Sequence, residues 1–138
     1  MNELTKKQEN SPKRYLYEIC NYLGWEMPMF TDPAAGGYRL RYSADSKEEA
    51  EQELEELVRA AKDLGINVLR PRITFREMRP VDNVREVVAK HKIPATEDGW
   101  PDWNKIDINS PQYIDFAAEA YYPTYWFAVI VPRYDVEN

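Results

Sequence analysis

Hydrophobic and polar positions follow two different periods along the chain, and these periods predict both strands and helices. Residues 38–42 alternate at every second position and predict a strand. Residues 67–76 show the same period and predict a second strand, while the almost wholly apolar segment 124–131 predicts a strand covered on both faces. Pro71 cannot donate a backbone hydrogen bond, which indicates an edge position for the second of these strands.

Four further segments place apolar residues at helical spacing and predict helices. The most regular begins at Ser46, whose hydroxyl is expected to form a reciprocal capping box with Glu49, and it ends at Gly65. Asp82 is expected to cap a short helix over residues 83–90. A serine followed by a proline opens each of the other two, because serine caps a helix and proline suits its first turn. These dipeptides are Ser11-Pro12 and Ser110-Pro111.

The order of these elements predicts an α+β fold. Strand, helix and strand follow one another over residues 38–76, and a right-handed crossover would make the two strands parallel. The apolar last strand is expected in the centre of a mixed sheet, with helices packed on one face as in a ferredoxin-like two-layer sandwich. We expect residues 1–10 to be a disordered polar tail and residues 11–138 to form a single domain.

Composition and charge narrow the classes of function. The 138 residues carry a net charge of −6, and 43% are hydrophobic, as in ordinary globular domains. No apolar run is long enough to span a membrane, and the polar N-terminus lacks the apolar stretch of a secretory signal, so a cytoplasmic location is expected. Cys20 is the only cysteine and His91 the only histidine, so an internal disulfide is excluded, and we expect no metal and no cofactor. His91 is expected to act as a cation at the end of a helix.

Arginines occupy the polar positions of the two strands that flank the Ser46 helix. Residues two apart in a strand lie on the same side, so these arginines are expected on the sheet face that the helices leave open. They are Arg39, Arg41, Arg70, Arg72 and Arg76. Tyr125 or Trp126 is expected beside them. Because guanidinium binds phosphate and carboxylate through two hydrogen bonds, the pattern indicates an anionic partner; the alternative is that the arginines are solvated or pair with the chain's own carboxylates.

The outer face of the Ser46 helix is rich in glutamate. Glu48, Glu51 and Glu55 lie on or near the side opposite its apolar residues. Such a face is ordinarily solvated, but it can also compete for a basic groove on another protein. The sequence therefore offers a second candidate surface, for a protein partner.

The long segment 93–109 contains two tryptophans among carboxylates. Trp100 and Trp103 are expected to cover the hydrophobic core, and the alternative is that they stack on a ligand. The carboxylates do not follow the spacing of a calcium-binding EF-hand, although Asp98 and Asp102 could serve acid–base chemistry. The sequence contains neither a glycine-rich phosphate loop nor a nucleophile elbow, so no catalytic site is predicted.

Two segments of the chain resemble double-stranded RNA-binding domains. Residues 11–30 contain a proline, then Leu16-Tyr17-Glu18 on a helix, then a glycine, a proline and an aromatic residue, in the order that the family shows. Ser46-Lys47-Glu48-Glu49-Ala50 resembles the opening of the family's second helix, with glutamate in place of its second lysine. The resemblance implies a two-layer sandwich, contact of Glu18 with an RNA minor groove and contact of Lys47 with phosphates.

Three functions remain open from the sequence. The first is a non-enzymatic protein-binding module, a small acidic regulator or inhibitor of a nucleic-acid-handling machine, which would act through Glu48, Glu51 and Glu55. The second is direct binding of RNA or DNA through the arginines of the sheet. The third is a metal-dependent nuclease that uses carboxylates.

Overall fold

The computed structural model describes residues 3–135, which form a four-stranded sheet and five helices. The strands are β1 (Asp32–Ala34), β2 (Gly37–Ala44), β3 (Leu69–Pro80) and β4 (Tyr121–Pro132). The helices are α1 (Lys6–Glu9), α2 (Arg14–Leu23), α3 (Lys47–Asp63), α4 (Val84–Lys90) and α5 (Pro111–Ala120). The α+β class predicted from the sequence is therefore confirmed.

The sheet is antiparallel throughout, with the strand order β1-β2-β4-β3. The expectation of a mixed sheet is wrong, because β4 lies between β2 and β3 and keeps the two strands that α3 joins from pairing with each other. Antiparallel pairing of β2 with β4 runs from Gly37 opposite Pro132 to Ala44 opposite Tyr125. The central place of β4 and the edge place of β3 agree with the prediction from hydrophobicity and from Pro71.

The described residues divide into two compact units, of which the first runs up to Arg76 and resumes at Tyr125. Its core forms where α2 and α3 pack on one face of the sheet. Fully or almost fully buried side chains from these helices and from β2 and β4 make up this core: Leu16, Ile19, Cys20, Leu40, Leu57, Phe127, Val129 and Val131. Because residues two apart in a strand share a side, the alternate positions of β2 and β4 face away from these helices.

The second compact unit is Glu77–Thr124. Its core lies between α4 and α5 and consists of Val84, Val87, Val88, Ile93, Phe116 and Ala120. The backbone N–H of Val81 donates to the carbonyl of Ala120 at 2.8 Å, and the Thr124 hydroxyl donates to the carbonyl of Glu77 at 2.7 Å. The ends of the segment are thus held together by hydrogen bonds that the alternation pattern could not predict.

Helix starts follow the capping rules in two of the four predicted cases. The hydroxyls of Ser46 and Ser110 accept the expected backbone bonds, from Glu49 at 3.0 Å and from Tyr113 at 3.2 Å. The predicted return bond of the capping box goes to Asp45 instead, since the Glu49 carboxylate accepts its N–H at 3.2 Å.

The other two predicted caps are wrong. The Ser11 hydroxyl accepts from the N–H of Lys13, two residues away, and α2 begins only at Arg14. The N-cap residue of α4 is Asn83 rather than Asp82, and its side chain makes no capping bond. In both places the chain turns before the helix begins, so a polar residue next to a periodic segment is not enough to mark its start.

The N-terminal segment differs from the expected tail. Lys6–Glu9 form one helical turn, with Thr5 and Gln8 in a reciprocal capping box. Residues 1–2 of that tail, and residues 136–138 of the expected domain, lie outside the described residues. Over residues 3–135, no helix has both the length and the apolar character needed to cross a bilayer.

Candidate anion-binding face

The predicted arginines of β2 lie on the side of the sheet that faces away from α2 and α3. Arg39 pairs with Ile130 of β4 and Arg41 pairs with Ala128, and in antiparallel pairs the opposed side chains stand on the same face. Ala128 and Ile130 are only 5% and 4% exposed. The aliphatic stems of long side chains can cover apolar surface while their charged ends stay in water.

Arginines from β3 meet this row from the other side of β4. Arg70 and Arg72 line, together with Arg39, a small cleft of about 20 Å³ over Ala128 and Ile130. Arg70 has a left-handed backbone with φ of +49°, which is uncommon for a residue with a side chain. The strand is therefore irregular at Arg70, yet its side chain still joins those of Arg39 and Arg72.

The remaining two arginines are stacked on one tryptophan. The guanidinium carbon of Arg41 lies 4.5 Å from the centre of the Trp126 ring, and that of Arg76 lies 4.4 Å from it. Arg41 comes from β2 and Arg76 from β3, which flank β4 on opposite sides, so Trp126 is placed between them. Such cation–π contacts hold a guanidinium plane in place and leave its N–H groups available at the rim. Tyr125, the other aromatic residue that the sequence offered, packs with Phe75 on the helix side instead.

The five arginines therefore share one sheet face, called the arginine face below. These arginines surround three alternate residues of β4, which therefore lie on one side of the sheet: Trp126, Ala128 and Ile130. Within residues 3–135, no carboxylate forms an ion pair with Arg39, Arg41, Arg70 or Arg72. The described part of the chain thus leaves these four charges without a direct acidic partner.

The two residues implied by the resemblance to RNA-binding domains lie elsewhere. Glu18 is on α2, where its carboxylate pairs with Arg14 at 3.2 Å. Lys47 is the first residue of α3 and is exposed. Both helices pack on the other side of the sheet, so the structure does not bring Glu18 or Lys47 to the arginine face.

The glutamates of α3 form a separate acidic surface. Glu48, Glu51 and Glu55 are all exposed, and Glu55 accepts a hydrogen bond from Arg59 at 2.8 Å. Partial burial raises the pKa of the nearby Glu53 carboxyl, and the carboxylates of Glu49, Glu56 and Asp45 raise it further. The neighbouring carboxylates thus add to the effect of burial, which is the larger cause, in disfavouring the charged form of Glu53.

The sequence did not reveal a cleft beside β2, called the edge cleft below. It has a volume of about 540 Å³ and lies between β2 and the segment that follows α2. Aromatic, sulfur-containing and charged side chains line it, among them Trp25, Met27, Arg41, Glu53 and Trp126. The mixture of methionine, proline and tryptophan at residues 25–29 was the only sequence signal that could have indicated it.

The tryptophans of the second unit do not cover its core, contrary to expectation. Trp100 is 44% exposed and Trp103 is 53% exposed. Arg85 lies over the Trp100 ring at 5.7 Å, and Trp103 meets the edge of Tyr113 at 6.0 Å. The core of this unit is closed instead by valines and Phe116.

His91 lies at the end of α4, as predicted, and Nε2 of its ring is 2.6 Å from a Glu119 carboxylate oxygen. Lys90 donates to the other oxygen of Glu119 at 2.8 Å. Hydrogen bonds from His91 and then from Lys90 lower the pKa of Glu119. These contacts join α4 to α5 and give His91 a structural role.

The described residues contain no cluster of three or more histidine, cysteine, aspartate or glutamate side chains that could hold a metal ion. Asp102, one of the two carboxylates considered for acid–base chemistry, accepts the N–H of Asn104 at 3.3 Å. Compared with known proteins, the chain matches no family model, no curated protein and no solved structure.

Proposed function

We propose that this chain is a non-enzymatic binding module whose arginine face binds single-stranded nucleic acid. The observation that carries the proposal is the set of guanidinium groups on one open sheet face, four of them without an ion-pair partner among residues 3–135. Arg41 is also ordered on Trp126. Side chains that are held in place before binding lose less conformational entropy when they bind.

The arrangement of the charges favours a polynucleotide over an isolated anion. Arginines of β2 and β3 form two rows, and because β4 lies between them, the rows are about 10 Å apart. The floor between the rows consists of Ala128, Ile130 and the Trp126 ring. A positively charged groove with an aromatic side chain is the common solution for tracking one nucleic-acid strand.

Binding of a fluorescein-labelled twenty-nucleotide oligo-dU, followed by anisotropy at increasing salt, tests this proposal. If the four arginines without ion pairs each neutralise one phosphate, the logarithm of affinity should fall with the logarithm of salt with a slope of about −3. The double variant Arg39→Glu with Arg70→Glu should lose binding. A matched control, Arg59→Glu with Lys62→Glu, makes the same change in net charge on the outer side of α3. We expect this control to bind oligo-dU only slightly more weakly than wild type, because its charges lie away from the arginine face.

Two results would contradict the nucleic-acid proposal. One is binding that survives the Arg39 and Arg70 substitutions. The other is an arginine face that captures poly-glutamate but not oligo-dU at low salt, which would assign this face to an acidic protein.

A second candidate function, a regulator that binds a basic groove of another protein, is favoured by the acidic surface of α3. Glu48, Glu51 and Glu55 are all exposed on this surface, and the carboxylates of Glu49, Glu56 and Asp45 add to the effect of burial in raising the pKa of Glu53. Reversal of Glu48, Glu51 and Glu55 to lysine should abolish capture of such a partner, whereas the Arg39 and Arg70 double variant should retain it. Capture that is unchanged by the lysine substitutions would remove α3 from this function.

A further inference from the structure

One edge of β2 is only partly covered by β1. The three residues of β1 pair with Gly37, Tyr38 and Arg39, whereas β2 continues to Ala44. Beyond Arg39, no strand formed by residues 3–135 lies on this side, since β4 pairs with the opposite edge. Residues 40–44 of β2 therefore form a free strand edge within the described sheet.

The turn between β1 and β2 determines which backbone groups point to this free edge. Ala35 and Gly36 both have positive φ, +46° and +85°, as in a two-residue type I′ turn. In such hairpins the flanking residues, Ala34 and Gly37, exchange both backbone hydrogen bonds. Because the direction of N–H and C=O alternates along a strand, those of Arg41 and Ser43 point to the side of β1, beyond its end.

Among residues 3–135, no other segment takes the place of a strand at this position. Outside helices and strands, no backbone hydrogen bond of the described residues reaches Arg41 or Ser43. The segment after α2 contacts β2 through a side chain, since the Tyr42 hydroxyl donates to the carbonyl of Glu26 at 2.9 Å. The edge cleft of about 540 Å³ lies between this segment and the strand.

The side chains of the cleft indicate what an added strand would carry. On the helix side, Glu53 of α3 lies in the lining with Trp25 and Met27, which matches a side chain with an apolar stem and a positive end. On the other side of the sheet, Arg41 lies in the lining and matches a carboxylate. Since neighbouring residues of a strand face opposite sides, the two preferences fall on adjacent residues of the occupant.

We propose that the free edge of β2 binds an extended peptide of another protein, which adds a strand beside Arg41 and Ser43, directs a lysine or arginine to Glu53 and directs an adjacent acidic side chain to Arg41. Strand addition is a common mode of peptide recognition, in which the backbone supplies affinity and alternate side chains supply specificity. The proposal does not depend on nucleic-acid binding, because Arg39, Arg70 and Arg72 do not line this cleft.

The test uses three blocked peptides and the tryptophan fluorescence of the full chain. The first is acetyl-Val-Glu-Lys-Glu-Val-amide; the second has norleucine in place of lysine; the third is the lysine peptide with N-methyl groups on the backbone edge that would face β2. We expect the first peptide to bind saturably. The second should bind about tenfold more weakly, because it lacks the charge-assisted hydrogen bond of lysine, and the third should not bind, because it lacks the backbone donors that would pair with β2.

Protein variants distinguish peptide binding in the edge cleft from binding elsewhere on the surface. Glu53→Gln should weaken the lysine peptide about tenfold and leave the norleucine peptide unchanged. Glu51→Gln, an exposed position of α3 outside the cleft, should change neither, and the Arg39→Glu with Arg70→Glu variant should keep peptide binding. Circular dichroism checks that each variant is folded.

Three results would overturn the proposal. They are no saturable response to the lysine peptide at millimolar concentration, binding that is indifferent to N-methylation, and equal binding of the lysine and norleucine peptides. A wild-type chain that binds the lysine peptide but does not bind oligo-dU would reject the proposed function and leave the peptide site standing.

Discussion

At the scale of single residues, Trp126 shows how one side chain can organise others. Its ring receives Arg41 from one neighbouring strand and Arg76 from the other. The alternation rule predicted that the arginines share a face, but no rule for one strand could show that they stack on a residue of a third strand. The register of β2 against β4, which sets Ser43 opposite Trp126, supplies that information.

The buried environment of Cys20 is expected to lower the reactivity of its thiol. Cys20 is 3% exposed, burial raises the pKa of its thiol, and its sulfur lies 3.3 Å from the Tyr42 hydroxyl oxygen. Because the thiolate is the reactive form, we expect the folded chain to react with Ellman's reagent at pH 8 at least about tenfold more slowly than the chain in urea. Equal rates in the two states would show that the thiol is accessible in the fold.

At the scale of elements, α3 depends on its first residues more than α2 does. The Ser46 hydroxyl caps α3, so Ser46→Ala should lower the free energy of unfolding by about 1 kcal/mol. Ser11 does not cap α2, and Ser11→Ala should cost about 0.5 kcal/mol or less. Urea unfolding of both variants measures the difference, and equal losses would show that the Ser46 cap contributes nothing specific.

The contact between α4 and α5 should depend on pH. The folded pKa of Glu119 lies below its ordinary value of 4.5, so its stabilisation is complete above that value and is lost as pH falls through the lowered pKa. The melting temperature of Glu119→Gln should therefore lie below that of wild type at pH 7 and approach it on acidification. Asp115→Asn, an exposed change on the same helix, is the control, and a difference between Glu119→Gln and wild type that stayed constant with pH would contradict this explanation.

Sequence patterns predicted which segments form helices and strands better than they predicted which strands lie side by side. The spacing of apolar residues correctly predicted α3, α5 and the burial of β4, because each of these features depends on residues that are close together in the chain. The insertion of β4 between β2 and β3 depends on pairing between segments about ninety residues apart, as Tyr38 and Val131 show, and no local pattern contains it. The same limit hid the edge cleft, whose walls come from four separate segments.

At the scale of the whole molecule, the expectation of a single domain stays a prediction. β3 continues past Arg76 and β4 begins before Tyr125, so both strands contain residues of both compact units. Leu57→Ala in one core should cost about 2–5 kcal/mol and Phe116→Ala in the other about 3–5 kcal/mol. If the chain is one cooperative domain, each change should shift one shared thermal transition, whereas two separately shifted transitions would reveal two domains.

The two outermost strands each contain a proline, and this has a consequence for how copies of the chain behave at high concentration. Pro33 lies opposite Tyr38 in the pair that exchanges no backbone hydrogen bonds, so its missing donor faces outward from β1. Pro71 removes a donor from β3, the strand at the other margin. Prolines at these two margins disfavour edge-to-edge pairing of like chains there, so the uncovered part of β2, residues 40–44, is where we expect any pairing between copies to start.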